Sequence, residues 1–356
     1  MSTLSKRLSP AQAEAFGAEL DALRNETLAD LGQRDVDHIR FVLRVVRYAE
    51  VGGRLLLHFG IGPVSFALGA AALATSKILE NMEVGHNVMH GQYDWTRDPA
   101  LDARTYEWDI VCPGDDWRHS HNYEHHTFTN VLGRDRDVGY EILRVSDQQA
   151  WRPFHVFQPI SAALLAMLFQ WGVGMHDLRI TRTLAGQQSV AELRRRARPF
   201  LRKAAWQLGR DYLLFPAIAL GNAPRVLLGN AIANLTRNLW TFAVIFCGHF
   251  PEGVRIYRED EVEGEQHGDW YLRQLHGSAN IEGGKLFHVM TGHLSHQIEH
   301  HLFPDIPAAR YPEMAPRVRA ICARYGQAYN TGSFARQLGS VAAKLVRNAL
   351  PVAAAA

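Results

Sequence analysis

The sequence predicts an all-α fold, with multi-pass membrane helices and a cytosolic helical cap that carries a histidine-rich metal site. Residues 55–76 and 153–176 contain no formally charged side chain. Each stretch reaches the roughly 20 residues that a helix needs to cross a bilayer. Eight of the 18 histidines fall into HNVMH, HNYEHH and HQIEHH, where they recur at the spacing of one helical turn. Hydropathy alone also allows these stretches to be buried helices of a soluble protein, because the mean hydropathy is only −0.17.

Three segments are expected along the chain. Residues 1–38 form an N-terminal cytosolic helical segment, since they start with a polar stretch that lacks the apolar centre of a secretion signal. Residues 39–325 form the main domain, with the membrane helices and the histidine-bearing cap. Residues 326–356 form a C-terminal helix and tail. We expect a multi-pass protein of the cell membrane whose histidine motifs and most of its soluble mass are cytoplasmic.

The order of the membrane segments follows from the need to keep all histidine motifs on one side of the bilayer. Residues 39–58 contain Arg44, Arg47, Glu50 and Arg54 among their charged side chains and make a poor first span, although one is needed. The interrupted apolar region 212–249 is expected to form a hairpin. Residues 153–176 then lie in the interface or dip in and return. This arrangement keeps the arginine-rich segment 179–210 cytosolic, against anionic lipid headgroups.

The histidine motifs predict a site for two metal ions. Residues four apart share a helix face, whereas adjacent residues such as His125 and His126 point in different directions. One short helix can therefore supply ligands to two neighbouring ions. Thiolate ligation is excluded because the three cysteines, Cys112, Cys247 and Cys322, are far apart in the sequence.

Two other classes of protein do not fit the sequence. A zinc peptidase helix needs a glutamate directly after its first histidine, and HNVMH has Asn87 at that position. A nucleic-acid-binding protein is not indicated, because the formal net charge is only +2.

The three motifs, in this order and separated by hydrophobic stretches, resemble the histidine boxes of the membrane-bound fatty acid desaturase family. The resemblance covers roughly residues 40–325, and the wording around the boxes is similar to that of actinobacterial acyl-CoA desaturases. It implies a di-iron site with two Fe2+ per chain. The implied metal ligands are His86, His90, His121, His125, His126, His249, His296, Gln297, His300 and His301.

Some of these assignments have alternatives. The third box of many relatives opens with the glutamine that corresponds to Gln297, but His296 has the spacing of the second box, so either side chain could face the metals. His249 could be an ordinary helix-end histidine. Weaker candidate ligands are His119, His288 and His293. Nearby carboxylates are expected to orient the imidazoles, and the candidates are Glu83, Asp115, Asp116, Glu124, Glu299 and Asp305.

The resemblance implies an O2-dependent desaturase that inserts a cis double bond into a long-chain acyl substrate, with acyl-CoA favoured and Δ9 as a candidate position. The sequence has no dinucleotide fingerprint, haem motif or cysteine cluster. We therefore expect electrons from a separate ferredoxin or flavin-containing reductase, and membrane lipid as the surrounding partner. A hydroxylase or decarboxylase using the same di-iron centre is the nearest alternative, and a non-catalytic metal-binding membrane protein is a more distant one.

Overall fold

The computed structural model describes residues 5–351, so the first four residues of the predicted N-terminal segment and the last five of the predicted tail lie outside the described part. The fold is mostly helical, as predicted. The longer helices are α1 Pro10–Ala29, α2 Gln33–Phe59, α3 Gly62–Leu79, α7 Gln158–Met167, α8 Phe169–His176, α10 Val190–Gly209, α12 Ala223–His249, α13 His267–His276, α16 Tyr311–Arg324 and α17 Phe334–Asn348. The shorter helices are α4 Asn87–Met89, α5 Gly114–Trp117, α6 His126–Phe128, α9 Ile180–Leu184, α11 Phe215–Ile218, α14 Lys285–Met290 and α15 Gln297–Leu302.

Three stretches have π-helical hydrogen bonding, in which the turn is wider than in an α-helix. They span Glu80–His86, Arg118–His125 and Arg210–Leu214. The first two carry or directly precede histidine motifs, for which the sequence predicts ordinary α-helical spacing. Such wide turns occur frequently at functional sites, so these two stretches mark where the motifs depart from regular packing.

The apolar stretch 55–76 is not a single helix, in contrast to the prediction. Helix α2 ends at Phe59 and α3 begins at Gly62. Gly62 has a φ of 77°, a left-handed conformation that glycine adopts readily, and Pro63 occupies the first turn of α3. The turn at Gly62 and Pro63 therefore divides the predicted stretch, because the backbone preferences of these two residues outweigh the uniform hydrophobicity of the stretch.

By length and composition, one described helix could cross a membrane: the continuous helical run Gly62–Met89. A pair of helices, Pro153–Met167 and Phe169–His176, meets the same criterion only if the two are taken together, and they are bent by 98° at Leu168. The second feature agrees with the expectation that residues 153–176 dip in and return. Core helices of soluble proteins also meet this criterion of length and composition.

The chain forms two compact units. Within the described residues, unit 1 comprises residues 5–35, 120–163 and 243–351, and unit 2 comprises residues 36–119 and 164–242. The core of unit 1 packs α1 against α13 and α16. Helix α1 begins at a capping box between Ser9 and Gln12. It lies so close to α13 that a Cβ at Gly268 would be 2.1 Å from the carbonyl oxygen of Ala13. A two-stranded parallel sheet, β1 Asn280–Glu282 with β2 Thr331–Ser333, completes unit 1.

Several charges are buried in unit 2, next to helices that expose apolar side chains. Lys77 lies 3.1 Å from Asp211, which is fully buried, and Arg237 is only 1% exposed. Arg210 also pairs with Asp211 at 3.0 Å. Large apolar side chains lie on the outer surface of the same helices. On α3 and α12 this arrangement is the reverse of that in a water-soluble domain, where charges face outward.

Candidate metal centre

Unit 1 brings five of the predicted histidine ligands into two overlapping groups. His125, His249 and His301 form the first group, and His126, His300 and His301 form the second. Within each group the three ligand nitrogens lie within 4.8 Å of one another, and all five side chains are buried. The two groups are adjacent. His125 lies in the first group and its chain neighbour His126 in the second, while His300 lies in the second group and His301 is shared by both.

The first group has the geometry of ligands to a single ion. The Nε2 atoms of His249 and His301 are 3.3 Å apart. Imidazole nitrogens bound to one transition-metal ion at about 2.1 Å lie roughly 3.0 to 3.4 Å apart when the angle between them is near tetrahedral or square. The His125 ring is perpendicular to both neighbours, with centroids 4.7 Å from His249 and 5.0 Å from His301. Three imidazoles therefore converge as a metal would require.

A carboxylate orients His125. The Nδ1 atom of His125 lies 2.9 Å from the Oδ2 atom of Asp135, which also accepts a hydrogen bond from the backbone N–H of Asn130. Burial lowers the pKa of His125, but the Asp135 carboxylate outweighs it and raises the pKa above its ordinary value. With its proton held on Nδ1, His125 presents the Nε2 lone pair to the group.

An amide orients His301, and its hydrogen bonds fix the tautomer. The Nε2 atom of Gln274 donates to the backbone carbonyl of His126 at 2.9 Å, and a carbonyl can only accept. The other end of the amide, Oε1, therefore faces the Nδ1 atom of His301 at 3.0 Å and accepts a hydrogen bond from its N–H group. Burial and the neighbouring imidazoles lower the pKa of His301 well below its ordinary value, so this ring is neutral with a free Nε2 lone pair.

His121 lies beside the second box. Its ring stacks on His125 with centroids 5.1 Å apart, and its Nδ1 atom is 3.7 Å from the Oδ2 atom of Asp137. His121, His125 and Asp137 form a further group whose ligand atoms lie within 4.8 Å. His121 is therefore near enough to serve either as a ligand or as a neighbour of one.

Gln297 and His296 have different surroundings. The side chain of Gln297 is buried, and its amide Nε2 is 3.0 Å from the Nε2 atom of His249. The ring of His296 instead lies against His288, with centroids 4.6 Å apart, and its Nδ1 atom is 3.7 Å from Glu299. Within unit 1, the glutamine thus faces the histidine groups and the histidine faces away.

His86 and His90 lie in unit 2, at the end of the first π-helical stretch. Their ring centroids are 4.6 Å apart, and Trp117 contacts both rings edge-on. The Nδ1 atom of His86 is 3.1 Å from the side-chain oxygen of Asn87. The two imidazoles of the first box therefore pack against each other and against the ring of Trp117.

The carboxylates expected to orient the ligands have other contacts. Asp115 pairs with Arg118, Asp116 lies 3.5 Å from Arg196, and Asp305 pairs with Arg24. Glu83 hydrogen-bonds to His38, Glu124 lies 3.9 Å from Arg136, and Glu299 accepts hydrogen bonds from Asn280 and Tyr329. The expectation that Asp115, Asp116 and Asp305 orient the imidazoles is wrong, because each of these carboxylates lies next to an arginine instead.

The orienting residues Asp135 and Gln274 are not apparent from the sequence. Asp135 lies ten residues after His125, in a loop, and Gln274 lies 27 residues before His301, on α13. Neither spacing is periodic with a histidine box. A search for buried polar residues on an amphipathic helix could have indicated Gln274, because it follows Tyr271 on the inward face.

Helical elements thus hold converging imidazoles, an arrangement that fits a histidine-bound metal site. The donor set fits iron, since imidazole is a common ligand for it. The fatty acid desaturase family model matches residues 61–333. The chain therefore belongs to the fatty acid desaturase family, an oxidoreductase family of lipid metabolism, which confirms the resemblance seen in the boxes.

Individual relatives agree with this assignment. The chain is 43% identical over 348 residues to the NADPH-dependent stearoyl-CoA 9-desaturase of Mycobacterium tuberculosis, covering 97% of this chain and 82% of that protein. It is 27% identical over 272 residues to the sn-1 linoleoyl-lipid 6-desaturase of a Synechocystis strain, covering 74% of each. Human fatty acid desaturase 3 is 31% identical over 125 residues, which is 35% of this chain and 26% of that protein.

Proposed function

We propose that this desaturase inserts a cis double bond at the Δ9 position of a long-chain acyl-CoA, using O2, two Fe2+ ions and external electrons. The observation that carries the proposal is the pair of adjacent imidazole groups in unit 1. The substrate and position are supported by the long, 43% identical match to a stearoyl-CoA 9-desaturase. The lower identity to an acyl-lipid desaturase favours the coenzyme A thioester over a lipid-bound chain.

The ligand set of the proposal follows the two groups. His125, His249 and His301 bind one ion, and His126 with His300 binds the other. His121 is a further candidate ligand in unit 1, and the family motif also implies His86 and His90 as metal ligands. Gln297, and not His296, faces the metals, in view of its contact with His249. Bound iron would supply, together with O2, the oxidising power needed to remove hydrogens from unactivated methylenes, which no side chain provides.

The contribution of the protein is to hold and shield the ligands. Asp135 and Gln274 keep the Nδ1 protons of His125 and His301 in place, so both rings keep their Nε2 lone pairs available. Full burial of His300 and His301 excludes bulk water from around them. An all-imidazole shell adds no negative charge, which leaves the charge of the ions uncompensated and favours binding of electron-rich ligands.

The stoichiometry of the proposed reaction determines which partners the protein needs. Each double bond consumes one O2, two electrons, two protons and two substrate hydrogens, and yields two waters. We propose that the electrons come from a separate ferredoxin or flavin-containing reductase. The M. tuberculosis relative is described as NADPH-dependent, which agrees with a pyridine-nucleotide-driven donor chain.

We further propose that unit 2 forms several membrane-spanning helices. On α12 the exposed positions Leu228, Ile232, Leu235 and Leu239 follow one another at three- or four-residue spacing and define one apolar face. Tyr48, Val51, Leu55 and Phe59 do the same on α2. Arg237 on α12 and Arg54 near the end of α2 are largely buried, whereas the exposed charges of α2, such as Arg40 and Arg47, precede Tyr48. Composition therefore understates how apolar their outward faces are, and a bilayer would cover those faces.

The proposed reaction is tested by gas chromatography with mass spectrometry of fatty acids from cells that express the chain, compared with His125→Ala and His300→Ala variants at matched expression. We expect new Δ9 monounsaturated acids with the wild type alone. Hydroxy acids would instead indicate hydroxylation at the same centre, and terminal alkenes would indicate decarboxylation. Absence of any product from protein that contains iron, in a host with a competent reductase, would contradict the proposal.

A further inference from the structure

Helix α10 carries an arginine face that has no partner among the residues that the structure describes. Its 20 residues contain six basic residues and a single acid, Glu192. Glu192 pairs with Arg195 and Arg196, so these two charges are balanced within the helix. Lys203 pairs with Glu107. The remaining three basic residues have no acidic partner in the described part of the chain.

Arg194, Arg198 and Arg202 form one stripe, because they are spaced four residues apart. All three side chains are exposed, and none makes an ion pair or hydrogen bond within residues 5–351. The stripe spans about 12 Å along the helix axis. A surface depression beside it is lined by Ala191, Arg194, Arg195, Ala197, Arg198 and Leu201.

The same helix face is apolar toward its C-terminal end. Leu201 is 59% exposed, Trp206 is 66% exposed, and Leu213, just beyond the helix, is 71% exposed. The opposite face packs inside unit 2, where Phe200 and Ala204 contact Val111 and Leu178. The outward face thus changes along its length from cationic to apolar, with an exposed tryptophan in the apolar half.

We propose that this face binds anionic phospholipid at the membrane surface, with the arginine stripe on the phosphates and the Leu201–Leu213 end in the acyl region. A soluble anion would neutralise the arginines but would leave the exposed leucines and Trp206 in water. A bilayer surface covers both halves at once, and tryptophan favours the interface between them. Arginine is suited to the role because its guanidinium binds phosphate with two parallel hydrogen bonds.

This inference rests on the proposed membrane association of unit 2, but not on the proposed reaction. Attraction of each arginine to an anionic surface is modest and falls with ionic strength. Three together should give a preference for anionic over zwitterionic lipid that is measurable at low salt and lost at high salt.

The test is the thermal unfolding midpoint of the full chain in a neutral detergent, with added phosphatidylglycerol or phosphatidylcholine. A ligand that binds only the folded state raises Tm. We expect phosphatidylglycerol to raise the Tm of the wild type by about 5 °C at saturation, and phosphatidylcholine to raise it by less than half as much. The triple variant R194Q/R198Q/R202Q should lose most of the difference between the two lipids.

Two further variants isolate the stripe. R194K/R198K/R202K keeps the charge and should keep most of the preference. R7Q/R97Q/R336Q removes the same charge from exposed arginines elsewhere and should respond like the wild type. The Tm of each variant without lipid shows whether it folds.

Several results would overturn the inference. Equal protection by the two lipids would mean that only the apolar half is used. An undiminished phosphatidylglycerol response in the triple glutamine variant would place lipid elsewhere. Protection by free coenzyme A, lost in that variant, without protection by phosphatidylglycerol would assign the stripe to the acyl carrier. Product analysis on the same preparations is independent, so a failed desaturase reaction with intact lipid protection would count only against the proposed function.

Discussion

At the residue scale, the site depends on hydrogen bonds that fix which nitrogen of each imidazole carries the proton. Asp135 does this with both carboxylate oxygens engaged. Its Oδ2 atom accepts from His125 and from the backbone N–H of Asn130, and its Oδ1 atom accepts from the backbone N–H of Asp137. If an NH2 group replaced either carboxylate oxygen, it would face an N–H donor and could not accept a hydrogen bond from it.

We therefore expect Asp135→Asn to disrupt the site although it preserves size. At least one of the three hydrogen bonds must be replaced by a donor–donor contact, which displaces the side chain and weakens its hold on His125, and the neutral amide is also a weaker acceptor than the carboxylate. The expected result is a 10- to 100-fold loss of iron affinity, typical of residues that orient metal ligands. Iron per protein, measured by inductively coupled plasma mass spectrometry, checks it. Asp115→Asn, at an exposed carboxylate, is the matched control, and equal iron contents of the two variants would contradict the role.

The third box offers a second test at this scale. Because Gln297 contacts His249 and His296 packs against His288, Gln297→Ala should lower both iron content and activity at least tenfold. His296→Ala should keep more than half of each. The reverse outcome in the same iron and product assays would assign the ligand position to His296.

At the scale of elements, Gln274 on α13 joins two histidine boxes that are far apart in sequence. The amide holds the His126 carbonyl at one end and the His301 ring at the other, and it is fully buried. Helix α13 itself is held by its packing on α1, which the close approach at Gly268 permits. The N-terminal helix thereby supports the metal centre without contributing a ligand.

Gln274→Glu should uncouple the boxes. A carboxylate cannot donate to the carbonyl of His126. An unsatisfied buried polar group costs about 1–3 kcal/mol, and a buried charge costs more. We expect reduced iron content together with a lower Tm of the metal-free protein. Gln266→Glu, at an exposed glutamine at the start of the same helix, controls for charge. Unchanged iron content in Gln274→Glu would show that the link is dispensable.

His276, at the end of α13, gives a pH dependence. Burial, and to a lesser extent Arg255, lower its pKa from about 6.5 to about 4. The unfolded chain binds this proton more readily than the native chain, so stability is full above pH 6.5 and falls as the pH drops toward 4. The loss at pH 5 relative to pH 8 is about 2 kcal/mol.

The His276→Gln variant should lack this component. It keeps a polar side chain near the Ser5 hydroxyl, which hydrogen-bonds to His276 at 3.0 Å. Thermal unfolding of both proteins between pH 5 and pH 8 checks the expectation. If the two midpoints fall in parallel as the pH decreases, then His276 is not responsible for the loss.

At the scale of the whole molecule, the arrangement of polarity differs between the two units. Unit 1 has a conventional apolar core around Phe16, Tyr311 and Phe303, whereas unit 2 buries Lys77, Asp211 and Arg237. A polar interior with an apolar outer face is expected where the surroundings are lipid, since lipid offers no hydrogen bonds to a charge.

A charge on the outer face of α12 tests this view. Leu235→Arg should reduce the amount of membrane-inserted protein at least tenfold, because an arginine facing the centre of the bilayer costs about 2.5–3.5 kcal/mol. Val346→Arg, at an exposed apolar position on α17 of unit 1, should have little effect. Alkaline extraction of membranes followed by immunoblotting measures the inserted fraction. Normal insertion of Leu235→Arg would argue that α12 does not face lipid.

The sequence alone was sufficient to determine the family, the helical class and the histidines that converge, because the box spacings are local and repeat at one helical turn. It did not reveal the wide π-helical turns or the division of residues 55–76 at Gly62, since both depend on backbone conformation. The choice between Gln297 and His296, and the roles of Asp135 and Gln274, depended on tertiary structure. These contacts join residues that are distant in sequence or direct neighbouring side chains to opposite sides, and no periodic pattern in the sequence encodes them.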